Sequence, residues 1–170
     1  MKFIEKLKTT NKTPLKIEPF ASLVGFIGGF TVILTLLLLT SLTEQLWIMA
    51  PFGASCVLVF GVWDSPLSQP RNIVGGHLIA TSVGLLCKNL LGNSLVVVAF
   101  AVGLTISLMM LTKTTHPPAG ADPLVVLLST GATGWSYLFT PVFLGSVVIV
   151  LIALVINNLS KNRNYPTFWI

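Results

Sequence analysis

Charge is so sparse along this chain that its spacing limits the fold more than any other feature. Ten Lys and Arg and five Asp and Glu in 170 residues leave charge-free runs at 19–43, 45–63, 72–87, 89–112 and 123–160. A helix needs about 20 mainly apolar residues to cross a bilayer core. Charged residues make up 9% of the chain, against about 25% in soluble domains. The expected fold class is therefore all-α, a polytopic membrane protein. The first run reads as one span, and 45–63 just reaches span length but carries Pro51 and Gly53 near its start. Residues 72–91 span if Lys88 snorkels from the helix end, and 95–112 make a further span. The last run is too short for two spans and a turn, and "STGATGWSY" (129–137) breaks it, so it reads as a short helix over 122–131 and a full span over 138–157.

The ends bound a transmembrane domain at 19–158, with a basic arm at 1–18 and a tail at 159–170. "MKFIEKLKTTNKTPLK" holds five lysines without an apolar core and cleavage site behind them, so it is not a signal peptide. The arm's five lysines against Glu5 and Glu18 supply +3 of the net charge of +5. Attraction to anionic lipid explains it more simply than nucleic acid does, so the bilayer is an expected partner and nucleic acid is not. "KFIEKLK" suits a short amphipathic turn on the membrane surface. Cys56 and Cys87 lie in apolar segments without metal-like spacing and read as inert buried thiols. No metal site or cofactor is expected.

An internal repeat stands out. "PFGAS" (51–55) matches "PAGAD" (118–122), each preceded by an apolar span and followed by a short apolar run, a turn and another span. "GFTVIL" (29–34) loosely resembles "GLTISL" (103–108). About six hydrophobic segments thus form two three-segment units, each with a short broken helix. Three crossings per unit would invert the second copy, whereas re-entrant hairpins would leave the copies parallel. With inversion and an inside N-terminus, nine of the ten Lys and Arg are cytoplasmic and Lys88 alone is outside; with hairpins the split is eight against two. The positive-inside rule favours inversion, with both termini cytoplasmic.

The repeated motif lies inside apolar runs, where Pro51, Gly53, Pro117, Pro118 and Gly120 prevent a continuous helix. Such backbone persists at membrane depth only where protein buries it or it lines a wet cavity. Ser55 and Asp122 are good N-cap types, and Pro123 suits a first turn. Each motif, with Ala54 inside the first, therefore reads as an extended approach to a short helix, and inversion would bring two helix N-termini together near the midplane. Unpaired N–H groups and helix dipoles there suit a small anion. Asp122 either caps its helix or acts as a coupling group. His116 either sits at the interface beside Lys113 or serves as a gate or proton carrier.

A second polar island, "WDSPLSQPRN" (63–72), precedes the span that starts at Ile73. Either Arg71 pairs with Asp64 in an ordinary loop, or Gln69, Arg71 and Asn72 form the mouth for a charged solute, where a guanidinium fork meets two oxygens at once. His77, one and a half turns into the span, is an ionisable residue at membrane depth and so a functional candidate. The small-residue faces Gly25/Gly29, Gly76/Ala80/Gly84 and Ala99/Gly103/Ser107 suit close helix packing.

"THPPAGADPL" (115–124), "PFGASCVLVF" (51–60) and "SQPRNIVGGH" (68–77) together resemble the HPP family of small integral membrane proteins, in order and over roughly residues 20–158. The resemblance implies a polytopic helical protein associated with nitrite transport. The expected function is a transporter or channel for a small inorganic anion, nitrite favoured, in a bacterial inner membrane. Pro51 to Ser55 and His116 to Asp122 would form its site. The alternative is an intramembrane enzyme or a non-transporting scaffold. No known motif joins Ser55, His77, His116 and Asp122 into a catalytic set, so no enzyme activity is expected. Six short crossings leave packing surface for a homo-oligomer.

Overall fold

The computed structural model describes residues 12–129 and 133–169. The amphipathic turn expected over "KFIEKLK" lies outside them. All regular structure among the described residues is helical. Helix α1 (Pro19–Thr43) starts on a proline after the extended Glu18 and stops where Glu44 turns left-handed at φ 56°. Trp47 returns to it, donating from its backbone to Thr40 Oγ1 at 3.0 Å and from its indole to Thr43 Oγ1 at 2.8 Å. Helix α2 (Pro51–Gly61) is 11 residues long, about 16 Å of rise, or half a membrane. The expected 45–63 span is thus shorter, because Pro51 starts the helix and Gly61 ends it.

A loop with a 3₁₀ turn at Pro66–Ser68 leads to α3 (Pro70–Leu91). Gly92 at φ 81° permits the tight turn into α4 (Leu95–Leu111). The second broken helix is a 3₁₀ turn, Pro117–Ala121, followed by α5 (Asp122–Leu128). The last segment opens with a π-helical turn, Leu138–Phe143, where Thr140 leaves helical geometry before Pro141, and continues as α6 (Leu144–Asn158).

Among the described residues, three helical segments are long and apolar enough to cross a membrane: Pro19–Thr43, Pro70–Leu91 and Leu138–Asn158. Leu95–Leu111, with 17 residues, is counted among the shorter apolar helices with the two broken ones.

Helix α3 is the hub, packing on α4, α5, α6 and both 3₁₀ turns. Helix α1 lies against α2 and α6, α4 lies against α3 and α5, and α2 meets the 117–121 turn. The main apolar core joins Leu36, Phe52, Phe60, Ile73 and Ile149. Outward faces are apolar too, with Phe26, Phe30, Leu95 and Phe139 well exposed, as a lipid-facing surface requires.

The tail is tied down. Tyr165 is buried and donates to the Ser68 carbonyl at 2.9 Å, and Arg163 donates to the Phe60 carbonyl and to Asn157 Oδ1, each at 2.8 Å. Asn157 also donates to the Val59 carbonyl at 3.0 Å, so side chains satisfy the last carbonyls of α2 inside the molecule.

Candidate functional site

Three prolines and a glycine set the local geometry. Pro51 starts α2 one turn before Ser55, whose Oγ sits 3.3 Å from the Pro51 carbonyl. Pro117 and Pro118 hold the chain in a 3₁₀ turn before Asp122 can open α5. Between them runs α3, where Gly76 lets the 114–116 segment press close: a Cβ there would stand 2.8 Å from His116 Cβ and 3.0 Å from the Thr114 carbonyl.

The outcome is a continuous polar array inside an apolar bundle. His116 Nδ1 donates to the Leu67 carbonyl at 2.8 Å, and its Nε2 lies 2.9 Å from Ser55 Oγ. Ser55 Oγ lies a further 2.9 Å from His77 Nε2, and His77 Nδ1 meets Asp122 Oδ2 at 2.8 Å. Thr81 donates to the same Asp122 oxygen at 3.2 Å. Ser55, His77, Thr81 and His116 are fully buried and Asp122 is 1% exposed. The imidazole planes cross at 72° with centroids 5.1 Å apart, and Phe52 packs edge-on against His77. Every ring nitrogen of both histidines has a partner.

Several sequence expectations change here. Ser55 lies inside α2, and Asp122 is the first residue of α5, with no side-chain cap bond on either helix. Neither residue caps, because both side chains turn sideways into the array. The unpaired N–H groups expected at the two helix starts are already used: Phe52 N donates to Met49 O, Gly53 N to Ala50 O and Ala119 N to His116 O. His116 is a core residue rather than an interfacial neighbour of Lys113. Gly53 and Ala54 are exposed, Pro117 is exposed and Gly120 half-buried, whereas Pro51 and Pro118 are buried. Neither Gly53 nor Gly120 has an atom within 4 Å of where a Cβ would stand. An apolar groove of about 640 Å³ separates the motifs on the outer face, lined by Ala50, Pro51, Ala54, Pro117, Pro118 and Ala121.

The 63–72 island divides. Gln69 is fully buried and its amide is spent inside the loop and tail, donating to the Trp63 and Ser65 carbonyls and accepting from Thr167 N. It shapes the loop and does not face a mouth. Arg71 Nη2 donates to the Thr112 carbonyl at 2.9 Å. The Asp64 pairing is not seen, and the one salt bridge among the described residues is His77–Asp122. Asn72 donates to the Thr115 carbonyl at 2.9 Å, beside His116. Arg71, Asn72, Lys113, Pro66 and Phe168 line a cleft of about 390 Å³. No group of three or more His, Cys, Asp or Glu able to hold a metal occurs among the described residues.

Sequence reasoning missed Thr81 and the Leu67 carbonyl. Thr81 was findable, because it stands four residues after His77 on the same helix face. The Leu67 carbonyl carries no sequence signal.

Among protein-family profiles, residues 14–166 match "HPP, transmembrane region". Two relatives from Dictyostelium discoideum, each named as a transmembrane protein, are 36% identical over 179 aligned positions and 34% over 181. Each alignment covers 99% of this chain, but 58% of one relative and 64% of the other, so the chain spans about three fifths of their length. No solved structure matches.

Proposed function

Because the chain belongs to the HPP transmembrane family, we propose that it is a transporter or channel for a small inorganic anion, nitrite favoured. The observation that carries this reading is the cationic cleft at the start of α3, the helix that carries His77. Arg71 and Lys113 line it, and the amide of Asn72, in the same wall, holds the carbonyl next to His116. Asn72 and His77 are five residues apart on α3, about 7.5 Å of rise, so the cations lie at the mouth and the array lies one and a half turns deeper. Arg71 uses one of its five N–H donors on the Thr112 carbonyl. A guanidinium with donors to spare beside an ammonium draws an anion and offers it paired hydrogen bonds.

The molecule forms two three-segment units, the second inverted. In support, the contacts repeat: α1 packs on α2 and α6, and α4 packs on α5 and α3, which exchanges first, second and third segments between units. One end gathers Arg71, Lys113 and the tail's Phe168 in one cleft, and Glu18, Pro19 and Arg163 in another. Lys88, in the last turn of α3, belongs to the far end. Arg71, Lys113 and Arg163 at one end and Lys88 at the other support the inverted arrangement, with both termini cytoplasmic. The bilayer is the partner of the apolar exterior, and a homo-oligomer in a bacterial inner membrane completes the reading.

A second reading has one observation in its favour. Ser55, His77 and Asp122 are linked as a nucleophile, base and orienting acid are in serine hydrolases. Three features weigh against it. Ser55 Oγ is fully buried, it is shared with a second imidazole, and it sits within a regular helix without free N–H donors for an oxyanion. Labelling by a fluorophosphonate that Ser55→Ala abolishes would support the enzyme; unlabelled folded protein supports transport. The transport test is uptake by proteoliposomes holding this protein alone. Nitrite entering faster than into protein-free vesicles, and slowed by Arg71→Ala, is the expected result; uptake equal to the lipid background would overturn the reading.

A further inference from the structure

The array has more acceptors than protons, and counting them assigns it a function. The Leu67 carbonyl has no hydrogen, so His116 Nδ1 must carry one. Ser55 Oγ touches two Nε2 atoms, at 2.9 Å each, yet a hydroxyl holds a single proton. One of the two contacts therefore needs an N–H from an imidazole. If His116 supplies it, His116 is an imidazolium. If His77 supplies it, the 2.8 Å contact of His77 Nδ1 with Asp122 still needs its own hydrogen, from a doubly protonated His77 or from a protonated Asp122. These three arrangements have one composition: two neutral imidazoles and a carboxylate plus a single extra proton. Without that proton, two lone pairs face each other at 2.8 or 2.9 Å in a fully buried site, and the array carries charge −1. With it, each contact from Leu67 through His116, Ser55 and His77 to Asp122 has its hydrogen and the array is neutral, as burial demands, while Asp122 Oδ1 keeps no hydrogen-bond partner.

The surroundings leave the array as the place where this proton resides. Helices α1, α4 and α6 contain no titratable residue. On α2 the neighbour Cys56 packs into the apolar core. Tyr137, ahead of α6, interacts electrostatically with Asp122, and its hydroxyl points to Met49 Sδ at 3.8 Å. The remaining ionisable groups on α3 are Arg71 at its start and Cys87 and Lys88 at its end.

We propose that His116, Ser55, His77 and Asp122 form a one-proton store, and that its proton is bound together with the transported anion. The coupling rests on the transport reading; the store does not. An anion that rises from the Arg71 cleft meets a neutral array when the proton is present and a buried negative charge when it is absent. Proton and anion binding are thus positively linked, and the linkage is reciprocal. One monovalent anion moves with one proton, and the proton crosses by changing partners along the array while the anion keeps its charge.

Two measurements test this. The chain contains two histidines, so a ¹⁵N-histidine sample carrying a tag without histidine and held in lipid nanodiscs gives a spectrum of two imidazoles. The expected pattern at neutral pH is Nδ1–H on His116 with one of the two rings doubly protonated, or a neutral His77 Nε2–H facing a protonated Asp122, which a ¹³C label on the carboxyl reads. Two unprotonated Nε2 atoms would overturn the store. In proteoliposomes with a trapped pH dye, an imposed nitrite gradient without a pH gradient should move about one proton per anion above protein-free vesicles. The half-saturating nitrite concentration should rise tenfold per pH unit once the array loses its proton. Asn in Asp122→Asn can donate to His77 Nδ1, which leaves Nε2–H for Ser55 and no dissociable proton, so this variant should lose both the proton movement and the pH slope. Nitrite uptake without either in the natural protein would overturn the coupling. No uptake at all would overturn transport and coupling together, while the imidazole spectrum still decides the store.

Discussion

The broken helices Pro51–Gly61 and Pro117–Leu128 take matching places against the rest of the bundle, and they differ in backbone and in chemistry. The first is α-helical from Pro51 onward, whereas the second spends five residues in a 3₁₀ turn before α5 begins. At the aligned fifth position the first offers the neutral hydroxyl of Ser55 and the second the carboxyl of Asp122. His77 of α3 bridges the two at 2.9 and 2.8 Å. The first motif packs its Phe52 into the apolar core, while the second, with alanine at that position, brings His116 into the array. A shared breaker thus fixes where a helix is interrupted, and the residues around it decide whether the gap is filled by packing or by ionisable groups. The first unit became the joint, and the second became the carrier of charge.

If that division is right, removing the charge should cost far more than removing the hydroxyl. Asp122→Ala leaves His77 Nδ1 and Thr81 without their buried partner, and breaking a buried pair this way costs about 3–5 kcal/mol. Ser55→Ala removes a neutral link, with an expected cost of about 1–3 kcal/mol. Thermal unfolding of both variants in one detergent measures the difference. An equal loss, or a larger one for Ser55→Ala, would break the asymmetry.

The two motifs also differ in how tightly they press on α3 and α6. Gly84 of α3 faces α5, where a Cβ would stand 3.1 Å from Pro123 Cα and 3.2 Å from Val126 Cβ. Because one of those atoms is backbone, Gly84→Val should destabilise by about 1–3 kcal/mol, read as a lowered midpoint of unfolding. At Gly145 of α6 a Cβ would run into the ring of Phe52 and come within 2.9 Å of the Trp47 carbonyl. Pairing Gly145→Ala with Phe52→Leu should recover part of the loss there, whereas trimming Val126 to Ala should recover little at Gly84. Equal recovery would mean that the two contacts are alike.

How much of this was legible in the sequence follows from which interactions are local. Charge spacing gave the six segments, and the breakers gave the two short helices, because both signals sit in consecutive residues. The Gly76/Ala80/Gly84 face was legible for the same reason and packs inward on the second broken helix. The other two small-residue faces had the same pattern, yet Gly25, Gly29 and Gly103 have no atom within 4 Å of a Cβ position. A one-dimensional pattern shows that a face is small and not whether a neighbour within the chain fills it. Ser55 and Asp122 were found by the repeat, but their reading as helix caps failed, since cap preference is a local rule and the bridge through His77 spans 22 and 45 residues. Gln69 went the same way: its polarity was visible, and its burial under Tyr165 and Thr167 depends on a tail almost a hundred residues later.

The cationic mouth gives a functional contrast of intermediate size. Arg71 belongs to the first unit and Lys113 to the second, and they line one cleft. Arg71→Ala should raise the half-saturating nitrite concentration about tenfold, or about 1.4 kcal/mol, because a fork that meets two oxygens is lost. Lys113→Ala should raise it less, since an ammonium acts as a single charge. Asp64→Asn should change nothing, because Asp64 makes no pair with Arg71. A stronger effect at Lys113 would assign capture to the second unit.

The smallest expected effect lies at the aligned pair Gly53 and Gly120, where the sequence suggests the largest. Both glycines sit at the third position of the repeated motif, and a close approach of backbone to ligand would explain them. The geometry removes that reason: a Cβ at either position meets nothing within 4 Å, and both face away from the array. Gly53→Val and Gly120→Val should therefore shift stability by less than about 0.5 kcal/mol, the usual range for outward substitutions, and should leave nitrite uptake close to that of the natural protein. The two variants also probe what covers the outer face of the motifs. Ala54 and Ala121, next to the glycines, line the apolar groove between the motifs, so a second copy seated there would sense a valine at either site and lipid would not. A lowered oligomer mass in nanodiscs for one variant alone would show that the two motifs differ on their outer face as they do on their inner one. Unchanged mass and uptake for both would confine the difference to the array.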